Sequence, residues 1–437
     1  MNIVITGGRI IDPYQDLDRA CSMFIGDGRI LGFDPPPGFV ADRTIAADHL
    51  IVCPGLIDLR ARLREPGLEH KATLESETRA AVAGGITTLC CPPDTIPPID
   101  TPAIAEWMVT RAHRLGAARV LPIGALTRGL AGTHLADMHA LREAGCAGVG
   151  NAYVAIKDTL VLRHALEYAA GLNLLVFLTP EDPWLGAHGI MHEGRISTRL
   201  GLAGIPASAE TIALSRDLIL IEQTGVRAHF CGLSTAHGVE LIAQAKSRGL
   251  PVTADTPIHH LYLTEDDIGF FDSNYHLRPP LRSLSDRDAL RRAFADGVLD
   301  ALCSDHQPHE EDAKRAPFSD SEPGIAGLET LLPLTLRLVD MGLLPLARAL
   351  AGLTAHPAAI LGIPQGTLSP GRPADVCIFD PHADWIPGPN TVHTQGRNSP
   401  FFGTSMRGQV IMTIKDGEIC YEKSPSSKAT VRSRAPG

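Results

Sequence analysis

The chain reads as an α/β protein: a TIM-like (β/α)8 barrel with a small β-sandwich domain built from both termini. Three observations predict this. Short apolar strands alternate with helical stretches roughly eight times over about 310 residues. Segments rich in strands and glycine turns stand at both ends, around this different middle. No Gly-x-Gly-x-x-Gly follows any strand, which argues against the runner-up, a doubly wound open sheet.

At the N-terminus, Asn2–Thr6, Arg9–Ile11 and Ser22–Ile25 read as strands between Gly7-Gly8 and Gly26-Asp27-Gly28. At the other end, Gly371–Asp380 turns into a strand, and Val410–Ile419 reads as strand, Asp-Gly turn, strand. The small domain is therefore expected over residues 1–53 plus 366–423, and the barrel over 54–365. Residues 424–437 are polar with no apolar period and are expected to form a disordered tail. The barrel strands are predicted at Leu56–Arg60, Ile86–Cys91, Arg119–Ala125, Ala147–Asn151, Leu174–Thr179, Arg227–Gly232, Pro251–Asp255 and Leu299–Ser304. Helices are predicted at Thr73–Ala83, Ala103–Leu115, Thr159–Ala169, Ser208–Thr224 and Ala236–Arg248.

One stretch organises the rest. The apolar run Ile51–Ile57 leads into Asp58-Leu59-Arg60-Ala61-Arg62-Leu63-Arg64-Glu65-Pro66-Gly67. Glu-Pro-Gly must leave the strand, so Arg60, Arg62 and Arg64 stand where strand becomes loop. Alternation puts all three on one face. Three converging cations are costly unless an anion or carboxylates meet them. In a barrel this is also where a site lies, at the C-terminal strand ends.

Composition removes whole function classes. The chain has 437 residues, 44% hydrophobic and 20% charged, which is ordinary globular composition. A net charge of −10, with no basic run, disfavours a nucleic-acid surface. No apolar run reaches the length of a membrane span, and the N-terminus lacks a basic segment followed by an apolar one. The nine cysteines are scattered and form no Cys-x-x-Cys pair, which fits reduced thiols in the cytoplasm and no zinc knuckle.

Several motifs resemble dihydroorotases of the amidohydrolase superfamily. They are Pro54–Leu59, Leu63–Gly67, Ala83–Thr88, Met191–Gly194, Gly201–Pro206, Asp305–His309, Gly327–Thr330 and Ser399–Phe401. The resemblance spans nearly the whole chain and implies the same fold. It also implies a place in pyrimidine biosynthesis, closing N-carbamoyl-aspartate to dihydroorotate with a zinc-bound hydroxide. That chemistry needs ligands that lower the pKa of a bound water. The family supplies His-x-His from strand 1, a carboxylated Lys or an Asp from strand 4, one His each from strands 5 and 6, and an Asp from strand 8.

The matching positions here are Arg60 and Arg62, Asn151 or Ala152, Thr179, Gly232 and Asp305. Guanidinium has no lone pair to give and stays protonated. A single Asp does not hold catalytic zinc. The expectation is therefore a degenerate metal site, no cofactor, and Asp305 left as a vestigial catalytic position. Arg60 and Arg62 are expected to fill the metal space and pair with Asp305 and Asp94; the competing reading is an anion site. Among substrate-type positions, Arg64 and His309 match the family, while Asp94 and Arg278 stand where it has Asn. Gly55, Gly67, Gly84, Gly85 and Gly327 remain in the family's places.

Other histidines carry bland readings. His259-His260 and His306 look like a metal cluster by composition, but are expected to cap strand ends and bond to backbone. His229 and Cys231 sit on one strand face and form a weak candidate for a new metal site. His188 and His192 are expected to support a loop.

The resemblance is nearest to inactive dihydroorotase-like subunits that hold bacterial aspartate transcarbamoylase together. It implies that transcarbamoylase as partner and a homo-oligomer. The alternative is a live dihydroorotase, or another cyclic amidohydrolase, with an unusual or metal-free site.

Overall fold

The structure, a computed structural model, describes residues 1–424. The tail expected over 424–437 lies outside the described residues from position 425 onward. Among the described residues, eight parallel strands form a barrel. They are β1 (Leu56–Asp58), β2 (Ile86–Cys91), β3 (Arg119–Ala125), β4 (Gly148–Gly150), β5 (Val176–Leu178), β6 (Ala228–Phe230), β7 (Val252–Pro257) and β8 (Ala301–Cys303). Each pairs with the next in chain order. The seam between β8 and β1 closes just beyond the strands. Ala61 bridges His306, and the Arg62 N–H donates to the His306 carbonyl at 2.8 Å.

Helices follow the strands on the outside, at Leu74–Ala83, Pro102–Leu115, Thr159–Gly171, Ala207–Thr224 and Ala236–Ser247. Their starts follow from capping chemistry. Thr73, for example, accepts from the Ser76 N–H at 3.1 Å and opens the first helix. Several helices escape the apolar-period reading, among them Leu331–Asp340 and the following two. Leu284–Ala295 is strongly charged and is opened by a Ser283/Asp286 capping box, while Met138–Glu143 is short. Among the described residues, no helix is long and apolar enough to cross a membrane.

Both ends of the chain build the second unit. One sheet has four strands, in the order Arg29–Gly32, Met23–Gly26, Ile3–Thr6 and Arg43–Ala46. The other has six, and there Val376–Trp385 pairs antiparallel with Ile51–Pro54. Alternation makes the sandwich: Ile3 and Ile5 point into the core while Val4 and Thr6 are half-buried. Ile10, Val52, Val376, Ile378 and Ile414 complete the same core from both termini. The strand Ile51–Pro54 runs through Gly55 directly into β1, and the Gly55 N–H is held by the Asp375 carbonyl at 2.8 Å. The sandwich thus anchors the strand that carries the arginines.

Five of the eight barrel strands are shorter than the apolar runs that announce them, while β2 and β3 match theirs and β7 runs two residues further. β1 stops at Asp58, not at Arg60. The Asp58 carboxylate takes the N–H groups of Arg60, at 3.2 Å, and of Ser304, at 3.1 Å. A side chain therefore does there what a backbone ladder would do in a longer strand.

Ile378 is fully buried in the core shared by the two termini. Ile378→Ala is expected to cost about 2–5 kcal/mol. Urea denaturation followed by circular dichroism checks this, and a loss under the lower bound would show that the sandwich core relaxes around the gap.

Candidate functional site

The C-terminal mouth of the barrel is organised by Asp305. Its backbone sits at φ +44, an uncommon conformation for a residue with a Cβ. The Arg60 Nε lies 3.0 Å from Asp305 Oδ1 in an ion pair, and the Arg62 Nη1 reaches the same oxygen at 3.5 Å. The Arg62 Nε donates to Asp94 Oδ2 at 2.8 Å. Both guanidinium side chains are almost wholly buried, at 3% and 5% exposure. Tyr153 lies over them, its ring centroid 4.5 Å from the Arg60 Cζ and 4.7 Å from the Arg62 Cζ. This is cation–π geometry. The Tyr153 hydroxyl donates to the Arg278 carbonyl, lies 3.2 Å from Asp305 Oδ2 and accepts from Gln307 Nε2 at 3.3 Å. Burial pushes its phenol well up, so Tyr153 stays neutral.

The expectation that the three arginines share a face is overturned for Arg64. Its backbone turns to φ +64 and carries the side chain out of register. The Arg64 Nε donates to the Pro308 carbonyl at 3.0 Å, and Nη2 lies 3.0 Å from His309 Nε2. Lys71 Nζ approaches the other ring nitrogen of His309 at 3.1 Å. Burial, then the charges of Arg64 and Lys71, push His309 down to about 2, so its ring is neutral. Arg278 is held by Glu181, with Nε–Oε2 at 3.0 Å and a second short contact. Of the substrate-type positions, Asp94 and Arg278 are thus each engaged by an ion pair within the protein.

The positions implied for zinc do not fit a metal. Arg60 and Arg62 offer no lone pair and repel a cation. Asn151 is used up as a connector: Thr127 Oγ1 donates to its side-chain oxygen at 2.9 Å, and its amide donates to the carbonyls of Leu130 and Val154. Thr179 only lines the residual cavity. Gly232 has no side chain, and a Cβ built there would lie 2.5 Å from Arg60 Nη1. Arg60 occupies the space of the strand 6 ligand, so no step through a metal can be drawn at these positions.

Two small cavities open at the mouth: one of about 20 Å³, lined by Leu59, Arg60, Arg62, Phe177, Thr179 and Cys231 among others, and an adjoining one of about 30 Å³ near Asn151, Ala152 and Glu181. Pockets for small organic ligands run to roughly 300–1,000 Å³. A larger cavity of about 510 Å³ lies at the opposite end of the strands, near Arg227, Leu250 and Gly297. In barrel proteins that face serves stability rather than chemistry.

Among the histidines, His306 is structural: Nε2 meets Glu77 Oε2 at 2.7 Å and Nδ1 accepts from the Gly327 N–H at 3.1 Å. His259 and His260 depart from expectation. Their rings pack 4.7 Å apart in a buried turn, and neither makes a hydrogen bond of normal geometry with a described residue. Burial pushes both down, His260 to about 4, so they pack as neutral, nearly apolar rings. His192 does brace a loop, through Arg282 Nη1 at 3.0 Å, while His188 is exposed. His229, Cys231 and Asp255 come together as a buried group with metal-ligating atoms. Both ring nitrogens of His229 are already engaged, by Thr253 Oγ1 at 2.8 Å and Asp255 Oδ2 at 2.9 Å.

Tyr153, Asp58, Asp255 and Glu181 were not singled out from the sequence. Asp58 and Asp255 carried a signal, since each is a carboxylate inside an apolar strand run, where it needs a partner. Tyr153 carried none, because nothing in its neighbours announces a ring that closes over charges from another strand.

Comparison with known proteins now bears on this geometry. The amidohydrolase family pattern matches residues 186–420, and the dihydro-orotase-like pattern matches residues 49–238. A dihydroorotase-like protein of Pseudomonas aeruginosa is 49% identical over 97% of this chain and all of its own length. The chain belongs to the dihydroorotase-like amidohydrolases. A protein named dihydroorotase from Syntrophotalea carbinolica is 42% identical over 97% of the chain and all of its own length. In structure, the chain is similar to an L-hydantoinase from Arthrobacter aurescens, with TM-score 0.86 and 25% identity over 97% of this chain and 96% of that one. This member of the family has the barrel and carries two guanidinium groups and a tyrosine at its mouth.

Two predictions follow from the packing. Gly232 sits at φ +67 against Arg60. Gly232→Ala is expected to destabilise by about 1–3 kcal/mol through strain and displacement of the guanidinium. Equilibrium denaturation reads this, and a neutral effect would mean Arg60 is free to move. The second concerns Asp58, whose carboxyl is pushed up to about 7, chiefly by burial, from an ordinary value of 3.8. Between those values the folded protein holds a proton that the unfolded chain has lost, so stability falls as pH rises through this window. Denaturation of wild type and Asp58→Asn across it should show the balance shifting toward the variant as pH rises. A constant difference would contradict the shift.

Proposed function

We propose that this dihydroorotase-like chain is non-catalytic and acts in pyrimidine biosynthesis as an assembly partner of aspartate transcarbamoylase. The observation that supports the first half is the mouth of the barrel. Arg60 and Arg62 stand at the strand 1 ligand positions, Arg60 also fills the space beside Gly232, and the open space there is two cavities of about 20 and about 30 Å³. A site of this shape holds neither a catalytic cation nor a dicarboxylate substrate. The second half draws on the resemblance to the inactive subunits and on the intact scaffold. A barrel kept in full around a filled mouth suggests a use for its surface.

A live enzyme is the other reading. It draws on Asp305, which is retained, and on the 42% identity to a protein named dihydroorotase. In that case Asp305 would have to act as a base without metal, although both of its oxygens are already engaged by Arg60 and Tyr153.

One preparation of the full chain tests both halves. Elemental analysis is expected to show no stoichiometric zinc, and an assay in both directions no interconversion of N-carbamoyl-aspartate and dihydroorotate. Size-exclusion chromatography with the host's transcarbamoylase is expected to show one co-eluting complex. Turnover would overturn the first half; separate elution at micromolar concentration would overturn the second.

A further inference from the structure

We propose that the cavity between Arg60 and Arg62 is a binding site for one small monovalent anion of halide size. The site does not depend on whether the chain has a partner. It rests on unmet hydrogen-bonding capacity. The Arg60 Nη1 and Nη2 and the Arg62 Nη2 are buried with no hydrogen-bond partner among the described residues. Leaving charged donors unmet in a dry interior is costly. Both guanidinium groups lie against one Tyr153 ring and share one oxygen of Asp305. Two cations held this close repel each other, and the carboxylate oxygen they share is the negative atom that stands between them.

Charge and size point to the same ligand. Arg60, Arg62 and Arg64 bring three positive charges to the mouth; Asp305 and Asp94 pair directly with Arg60 and Arg62, and the Asp255 carboxylate lies close to Arg60 without pairing with it. Arg64 is met by a carbonyl and a neutral histidine, not by a carboxylate. The nearby carboxylates are committed elsewhere: Asp58 to Ser304 and the Arg60 amide, Asp255 to His229 and the Gly232 amide. The cavity of about 20 Å³ admits one particle of roughly the size of a water. That excludes phosphate and any amino-acid carboxylate. Its other walls include Leu59, Ile123 and Phe177, which desolvate the ion and favour a weakly hydrated halide.

The test uses the full-length protein. Crystals grown with bromide as the only halide are expected to give an anomalous peak in the cavity, in contact with Arg60 and Arg62. No anomalous signal there, or bromide peaks on the surface only, would overturn the site. In solution, the melting temperature is expected to rise saturably by a few degrees in chloride or bromide relative to gluconate at equal ionic strength. Superimposable curves would overturn the proposal. Arg62→Gln, if folded by circular dichroism, is expected to lose the halide-specific part of the rise; full retention would count against Arg62 as a ligand. If the variant does not fold, the bromide crystal still decides.

Discussion

Two guanidinium groups share one carboxylate oxygen at the top of this barrel, and much of the mouth is arranged around that contact. Burying a charge is tolerable only when a partner goes with it, and removing one partner of such a pair typically costs about 3–5 kcal/mol. Arg60 and Arg62 meet Asp305, Asp94 takes the second face of Arg62, and Tyr153 roofs both. Gly232 lacks a side chain at the point where Arg60 needs room. Each of these residues makes sense only with the others present. Together they fill the mouth with paired buried charge and, as we infer, leave room for a small anion.

The scaffold holds this arrangement in place from two directions. The sandwich pins β1 from below, because Ile51–Pro54 is bonded to the C-terminal strand Val376–Trp385 before the chain enters the barrel. The seam pins it from the side, through Asp58 to Ser304 and Arg62 to His306. A strand held at both ends gives its outgoing side chains little freedom. The arginines therefore meet Asp305 in a defined geometry and lose little entropy in forming the pairs.

The fold was legible because it rests on local signals. Apolar runs, capping residues and turns mark elements to within a few residues, and the helices at Thr159 and Ala236 begin where their N-terminal signals place them. Strand length was less legible: β1 ends early because the Asp58 side chain replaces ladder bonds with a residue 246 positions away. Arg64 left the face of its neighbours because one positive φ breaks alternation. His259 and His260 lack side-chain hydrogen bonds of normal geometry because burial makes a neutral, tilted pair of packed rings acceptable without them.

The sequence by itself determined the fold class, the family resemblance and the chemical unsuitability of Arg60, Arg62 and Gly232 as metal ligands. Those conclusions follow from periodicity, from motif residues and from the fixed chemistry of each side chain. Only the tertiary structure decided which carboxylate meets which arginine, that Tyr153 closes over both, that Arg278 belongs to Glu181, and how little space remains. The reason is distance along the chain: Asp305 lies 243 residues from Arg62 and Tyr153 lies 152 from Asp305. No local pattern encodes a contact that exists only once the barrel has closed.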